Sequence, residues 1–274
     1  MKLLTVINRK LDTFQKMFHL TGIKGVLILR PLPNVILTIL SQIGIYLKYQ
    51  PIQLKVKGYT HPIYMRYGTS DAAIFHQIFI FQEYSCLDDL NEPKNIIDAG
   101  ANVGYSSIYF LNKYPEAHII AIEPDQENFK ICQKNLSGYK ERVSVIQAGL
   151  WSHITALKVC NEESREKCSI QVKECQEGET PDIYAIDIDS LLKKYNLTTI
   201  DLLKIDIEGS EIVVFSKNHQ NWLTKVKNIV IELHGKECEQ EFFKALSMYD
   251  YDLSTYGELT ICQKLSSQTA KACC

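Results

Sequence analysis

The chain has 274 residues, 46% hydrophobic and 23% charged, with a formal net charge of −2. This suits a soluble globular protein with one large α/β domain and accessory segments, and it offers no electrostatic case for DNA, RNA or an anionic membrane as partner. Nine cysteines, an odd number with no CxxC pair, argue against a disulfide framework or a structural zinc site. They favour a reducing compartment, so the expected location is cytoplasmic.

The first residues, MKLLTVINRKLDTFQKMF, carry too much charge for a secretory leader. Residues 1–50 predict two or more helices, broken near Arg30 and Pro33. The most apolar early stretch, 35–49, is interrupted by Ser41, Gln42 and Gly44 and is too short to span a bilayer. It reads as an amphipathic helix packed on the domain, with peripheral membrane contact as the alternative. Residues 51–67 alternate apolar and polar and predict a β-hairpin turning near Gly58 and His61-Pro62. Residues 70–84 predict a helix capped by Ser70 or Asp71, then a short apolar strand or turn.

A βαβ rhythm follows. Strand one covers 95–99 and helix 105–113 follows it; strand two covers 118–123 and helix 127–135 follows; strand three covers 143–148. A polar segment, 158–175, dotted with Cys160, Cys168 and Cys175, predicts an inserted hairpin within a flap of about 158–182. A strand-like 184–188 and a helix over 190–195 lead to strand four (201–207) and strand five (228–233). The tail, 251–263, predicts an antiparallel hairpin at the sheet edge, turning at Gly257. Strands alternating with helices imply a doubly wound, mostly parallel, Rossmann-like sheet. The chain therefore divides into a helical and hairpin cap (1–90) and a cofactor-binding domain (91–274).

The run NIIDAGANVGY, at 95–105, is a strand, a glycine turn and a helix start, the nucleotide-binding corner of such a sheet. Gly100 and Gly104 permit a tight turn and a close backbone approach. In a dinucleotide fingerprint that turn faces a pyrophosphate, which Asp98 would repel. An acid there suits a ligand carrying an ammonium and a sulfonium, as S-adenosylmethionine does. The next strand ends in Glu123, nineteen residues after Gly104, the spacing of an acid that binds ribose hydroxyls. Trp151, after strand three, either packs on an adenine ring or is a core residue.

Ligands of open α/β sheets bind beyond the carboxyl ends of strands. Strand four ends LLKIDIEGSE, in which Lys204, Asp206 and Glu208 share parity while Ile205 and Ile207 face the other way. Glu211 stands near a helix start, where an acid is favoured. Strand five ends IVIELHG, in which Glu232 and His234 share parity. Asp206, Glu208, Glu232 and His234 are the candidate catalytic residues, with His234 as general base toward a hydroxyl. Two other readings stand beside this one. The pairs Lys204–Asp206 and Glu232–His234 are structural, or the cluster holds a divalent cation, which the sequence does not require.

The order IIDAGANVGY, AIEPDQENF, QAGLW, DLLKIDIEGSE and VIELHG, with RYGTSDAAIFHQIFIFQEY upstream, resembles the FkbM family of S-adenosylmethionine-dependent methyltransferases. The resemblance runs from about Arg66 to Gly235. It implies the class I methyltransferase fold and O-methylation of a sugar, glycan or secondary metabolite. It also implies that Asp98, Gly100, Asn102 and Gly104 cradle the methionine part and that Glu123 binds the ribose. An NAD-dependent oxidoreductase would need G-x-G-x-x-G after strand one, which is absent. A non-catalytic protein that only binds the cofactor would not need polar tips on strands four and five. Amino-directed methyltransferases are disfavoured by the lack of an Asn-Pro-Pro-aromatic tetrapeptide after strand four.

Overall fold

A computed structural model describes residues 2–29, 51–159 and 172–268. Helix α1 (Lys2–Leu29) is interrupted at Gly22, whose backbone leaves the helical region (φ 65°, ψ −173°). The expected break at Arg30 and Pro33, the amphipathic stretch 35–49, Cys160, Cys168 and the terminal cysteines lie outside the described residues. Among the described residues, no helix is long and apolar enough to cross a membrane.

Strands β1 (Pro51–Leu54) and β2 (Ile63–Arg66) form the expected antiparallel hairpin. The next helix, α2 (Asp71–Phe75), runs into a π-helical turn, His76–Ile80, so that of the expected strand or turn it is a turn that forms. Ser70 makes no side-chain cap. Asp71 turns back to Arg66, accepting two hydrogen bonds from its guanidinium (2.7 and 3.0 Å) and one from its backbone N–H (2.7 Å). Both residues are buried, so the ion pair satisfies the acid that would otherwise cap the helix.

The domain continues through β3 (Asn95–Ala99), α3 (Tyr105–Lys113), β4 (His118–Ile122), α4 (Gln126–Leu136) and β5 (Val143–Ile146). Next come β6 (Gly149–Leu150), β7 (Thr155–Val159), β8 (Val172–Glu174), β9 (Ile183–Ile186) and α5 (Ile188–Lys194). The chain then forms β10 (Leu202–Ile205), α6 (Glu211–Ser216), β11 (Ile229–Glu232), α7 (Lys236–Ala245), β12 (Tyr249–Tyr256) and β13 (Leu259–Ser267). Seven strands pair in the order β12-β13-β11-β10-β3-β4-β5. The five from β11 to β5 are parallel, and the β12–β13 hairpin closes one edge antiparallel. The second sheet, β6-β9-β7-β8, contains the inserted hairpin, with β7 and β8 antiparallel.

The period-two alternation of strand side chains builds two cores. Ile96, Ile119, Ala121 and Leu202 face a layer of α2, α3, α4 and the β1–β2 hairpin. Ile97, Ile120, Leu203, Ile205 and Ile231 face α5, α6 and α7, where Phe215 and Phe242 pack edge to face. Helices therefore cover both faces, which is why the parallel strands read as nearly unbroken apolar runs. Strand order reverses beside β3, and the site lies at that switch point.

Candidate active site

The turn after β3 is built from its backbone outward. Gly100 and Ala101 donate their N–H groups to the carbonyl of Ile122 (3.0 and 2.9 Å). Gly100 has a positive φ of 75°, and a Cβ there would fall 1.7 Å from the carbonyl oxygen of Asp206. Only glycine lets the ends of β3 and β10 come this close. Asn102 adopts the left-handed region (φ 50°), and its N–H donates to Glu123 Oε2 (2.8 Å).

Asp98 is fully enclosed, with 0% exposure. Its Oδ2 accepts from the hydroxyls of Ser106 and Ser107 (2.6 Å each), and its Oδ1 lies 3.1 Å from Lys204 Nζ. The expectation that this carboxylate faces a ligand's cationic end therefore gives way. Asp98 fastens the first turn of α3 to the sheet from below. Lys204, in register with Asp98 on the neighbouring strand, donates to the carbonyl of Gly100 (2.7 Å). Burial alone would lower the Lys204 pKa; the charges of Asp98 and Asp206 outweigh it and raise the value. Lys204 thus pairs with Asp98 more closely than with Asp206, 3.9 Å away, the partner that the sequence suggests.

Glu123 stands at the tip of β4, where its carboxylate also accepts from the Asp125 N–H (3.0 Å). Burial pushes its pKa up to about 7 against these hydrogen bonds. Nearby, Asn102 Oδ1 is buried with no hydrogen-bond partner. The turn thus brings together two buried acceptors, Glu123 and Asn102.

Asp206, Glu208, Glu232 and His234 do converge. His234 Nε2 lies 3.9 Å from Asp206 Oδ1, 3.6 Å from Glu208 Oε2 and 3.6 Å from Glu232 Oε1. The route differs from strand parity, because β10 ends at Ile205 and β11 at Glu232. Glu208 reaches His234 from a loop, with a left-handed backbone (φ 54°). Glu211 plays a larger part than its place in the sequence suggests. This first residue of α6 is completely buried, accepts the Ile207 N–H (3.1 Å) and bonds His234 Nδ1 (3.1 Å). An acid at a helix start has a bland explanation in the helix dipole, and nothing local links it to a histidine 23 residues away.

This arrangement sets the charges. The bond to Glu211, against burial and with help from Glu208 and Glu232, raises His234 to about 9. His234 is therefore an imidazolium at neutral pH and not the free base that its residue type suggests. Burial and the Asp206 charge raise Glu232 to about 7, and burial raises Glu208. Trp151 takes the core alternative: it packs with Leu157 and Ala185 in the second sheet, and its indole N–H donates to Glu174.

The family comparison spans the segment that contains these residues. The Methyltransferase FkbM domain matches residues 98–257, from the buried aspartate to the turn of the closing hairpin. The chain belongs to the FkbM methyltransferase family. Methyl transfer is thus its chemistry, and the oxidoreductase alternative falls away. Methyltransferase sdnD of Sordaria araneosa is 30% identical over 190 residues, covering 56% of this chain and 73% of that protein. Methyltransferase 1 of Beauveria bassiana is 28% identical over 184 residues, covering 58% and 72%. Among solved structures, a methyltransferase FkbM from Methylobacillus flagellatus KT aligns with a TM-score of 0.45 at 17% identity, over 62% of this chain and 43% of that one.

Proposed function

We propose that this FkbM methyltransferase moves the methyl group of S-adenosylmethionine to a hydroxyl oxygen of a sugar, glycan or secondary metabolite. One observation carries the reading: the glycine turn of β3 and the polar tips of β10 and β11 meet at one edge of the sheet. The Asp206 N–H bonds the Ala99 carbonyl (3.1 Å), so the two halves share a backbone link. The residues present fit the cofactor. Glu123 accepts ribose hydroxyls, the unpartnered Asn102 Oδ1 accepts a donor from the cofactor, Gly100 lets β3 approach β10, and Gly104 lets α3 begin close against Cys132 and Leu136. Asp98 and Lys204 hold the turn in shape from beneath.

The bound cofactor supplies an electrophilic methyl group on a sulfonium. The chain's own residues do the rest. A hydroxyl is a weak nucleophile until its proton has somewhere to go. Asp206 and Glu232 are carboxylates at the strand tips, placed to accept it. His234, fixed through Nδ1 by Glu211, orients those carboxylates and the acceptor. Residues 1–90 and the flap of about 158–182 shape the acceptor pocket, in keeping with loops on a rigid scaffold.

The test is incubation with methyl-labelled S-adenosylmethionine and fractionated small-molecule and glycan acceptors, followed by fragmentation mass spectrometry. A label on oxygen supports the proposal. A label on nitrogen or carbon overturns it, as does tight cofactor binding without transfer to any fraction.

A further inference from the structure

We infer that Asp206, Glu232 and His234 form a binding site for one first-row divalent cation, set between the ends of β10 and β11. One donor atom from each side chain lies within 4.8 Å of the others. Metal bonds of about 2.1 Å place neighbouring ligand atoms about 3.0–3.4 Å apart in octahedral or tetrahedral geometry. The observed 3.9 Å from His234 Nε2 to Asp206 and 3.6 Å to Glu232 exceed that spacing by about 0.2–0.9 Å, a change that side-chain rotation can supply. Two carboxylates and an imidazole are a donor set for manganese or zinc.

The two ring nitrogens of His234 have different surroundings. Nδ1 closes onto Glu211 Oε1 at hydrogen-bond distance, 3.1 Å. Nε2 stands 3.6–3.9 Å from Asp206, Glu208 and Glu232, beyond hydrogen-bond distance of each. Glu211 is fully buried and further fixed by the Ile207 N–H. A carboxylate on one ring nitrogen with the other nitrogen facing oxygen ligands is how proteins orient a metal-binding histidine. The second oxygen of Glu211, Oε2, is enclosed with no hydrogen-bond partner.

Charge balance points the same way. Asp206, Glu208, Glu211 and Glu232 surround one imidazole, and Glu83 and Glu258 act on Glu232 from outside. Lys204 lies closer to Asp98, at 3.1 Å, than to Asp206, at 3.9 Å. A divalent ion relieves this excess. The three ligands are partly exposed, so an ion can enter from solvent. The role that follows, though not the binding itself, rests on the O-methyl transfer reading: the cation would hold the acceptor oxygen and stabilise its alkoxide.

The test is a Mn2+ titration of the full chain without cofactor or acceptor, read by loss of the free-ion electron paramagnetic resonance signal. Circular dichroism checks the fold of each variant. The wild type should bind one Mn2+ per chain. Asp206→Asn and His234→Ala should each weaken binding at least tenfold, and Glu211→Gln, which removes no ligand, about 10–100-fold. Glu232→Gln, at a partly exposed site, serves where another variant fails to fold. Absence of bound Mn2+ in the wild type, or equal binding by the ligand variants, would overturn the site. If chelation strips the ion and oxygen methylation continues, the catalytic role is wrong. A label on nitrogen would sink the transfer reading while leaving the Mn2+ result standing.

Discussion

Replacing Lys204 by methionine leaves the Asp98 carboxylate with two serine donors and no counter-charge, in a place with no access to water. Asp98 is 0% exposed and Lys204 2%, and their charged atoms are 3.1 Å apart. Breaking a buried pair from one side strands a charge, which costs about 3–5 kcal/mol. At about 2.1 cal/mol/K of unfolding entropy per residue, a chain of 274 residues loses about 5–9 °C in Tm. Urea denaturation is the assay, followed by the fluorescence of the buried Trp151 and Trp222. The double variant Asp98→Asn/Lys204→Met removes the stranded charge but keeps an acceptor for Ser106 and Ser107, and should recover all but about 1–2 kcal/mol. A single variant costing under about 1 kcal/mol, or a double variant no better than the single, would refute the view of Asp98 as a buried organiser held by Lys204.

Three further outcomes are expected. Gly100→Ala forces a Cβ to within 1.7 Å of the Asp206 carbonyl, so calorimetry should find S-adenosylmethionine binding abolished, with a lowered Tm. Glu123 has a folded-state pKa raised to about 7, so the wild type should lose stability relative to Glu123→Gln as pH rises from about 4.5 to 7, by at most about 3 kcal/mol, and show no further loss above. Across the same titration, cofactor affinity should rise from pH 6 to 8 as the acceptor carboxylate ionises, and Glu123→Gln should flatten that rise; an equal slope in both proteins would remove Glu123 from the ribose site. Replacing residues 160–171 with a short Gly-Ser turn between the paired β7 and β8 should raise the acceptor KM and leave cofactor affinity unchanged, both measurable by initial rates and calorimetry.

Elements whose local and tertiary demands agree are legible in the amino-acid sequence itself. Strand 95–99 and helix 105–113 are found at those residues, because an apolar run, a glycine turn and a helical pattern all require the same boundary. Edges are less legible. The apolar alternation of strand four continues to Ile207, but pairing stops at Ile205, where the chain leaves the sheet to form the loop. The four candidate catalytic residues are identifiable as charges at and just beyond the ends of two apolar strands. The raised pKa of His234 is not, because it depends on Glu211, a contact made by folding. The expectations for Asp98 and Ser70 fail for a related reason: a short polar side chain has several local partners, and tertiary packing decides among them.

Hydrogen–deuterium exchange with and without S-adenosylmethionine tests the central claim most directly, because it shows where on the chain the cofactor sits. The glycine turn and the Glu123 tip should gain protection together, over about 98–107 and 121–128, while the second sheet, including 155–159 and 183–186, should not. Protection on the second sheet alone, or none at the turn when calorimetry shows the cofactor bound, would contradict the account.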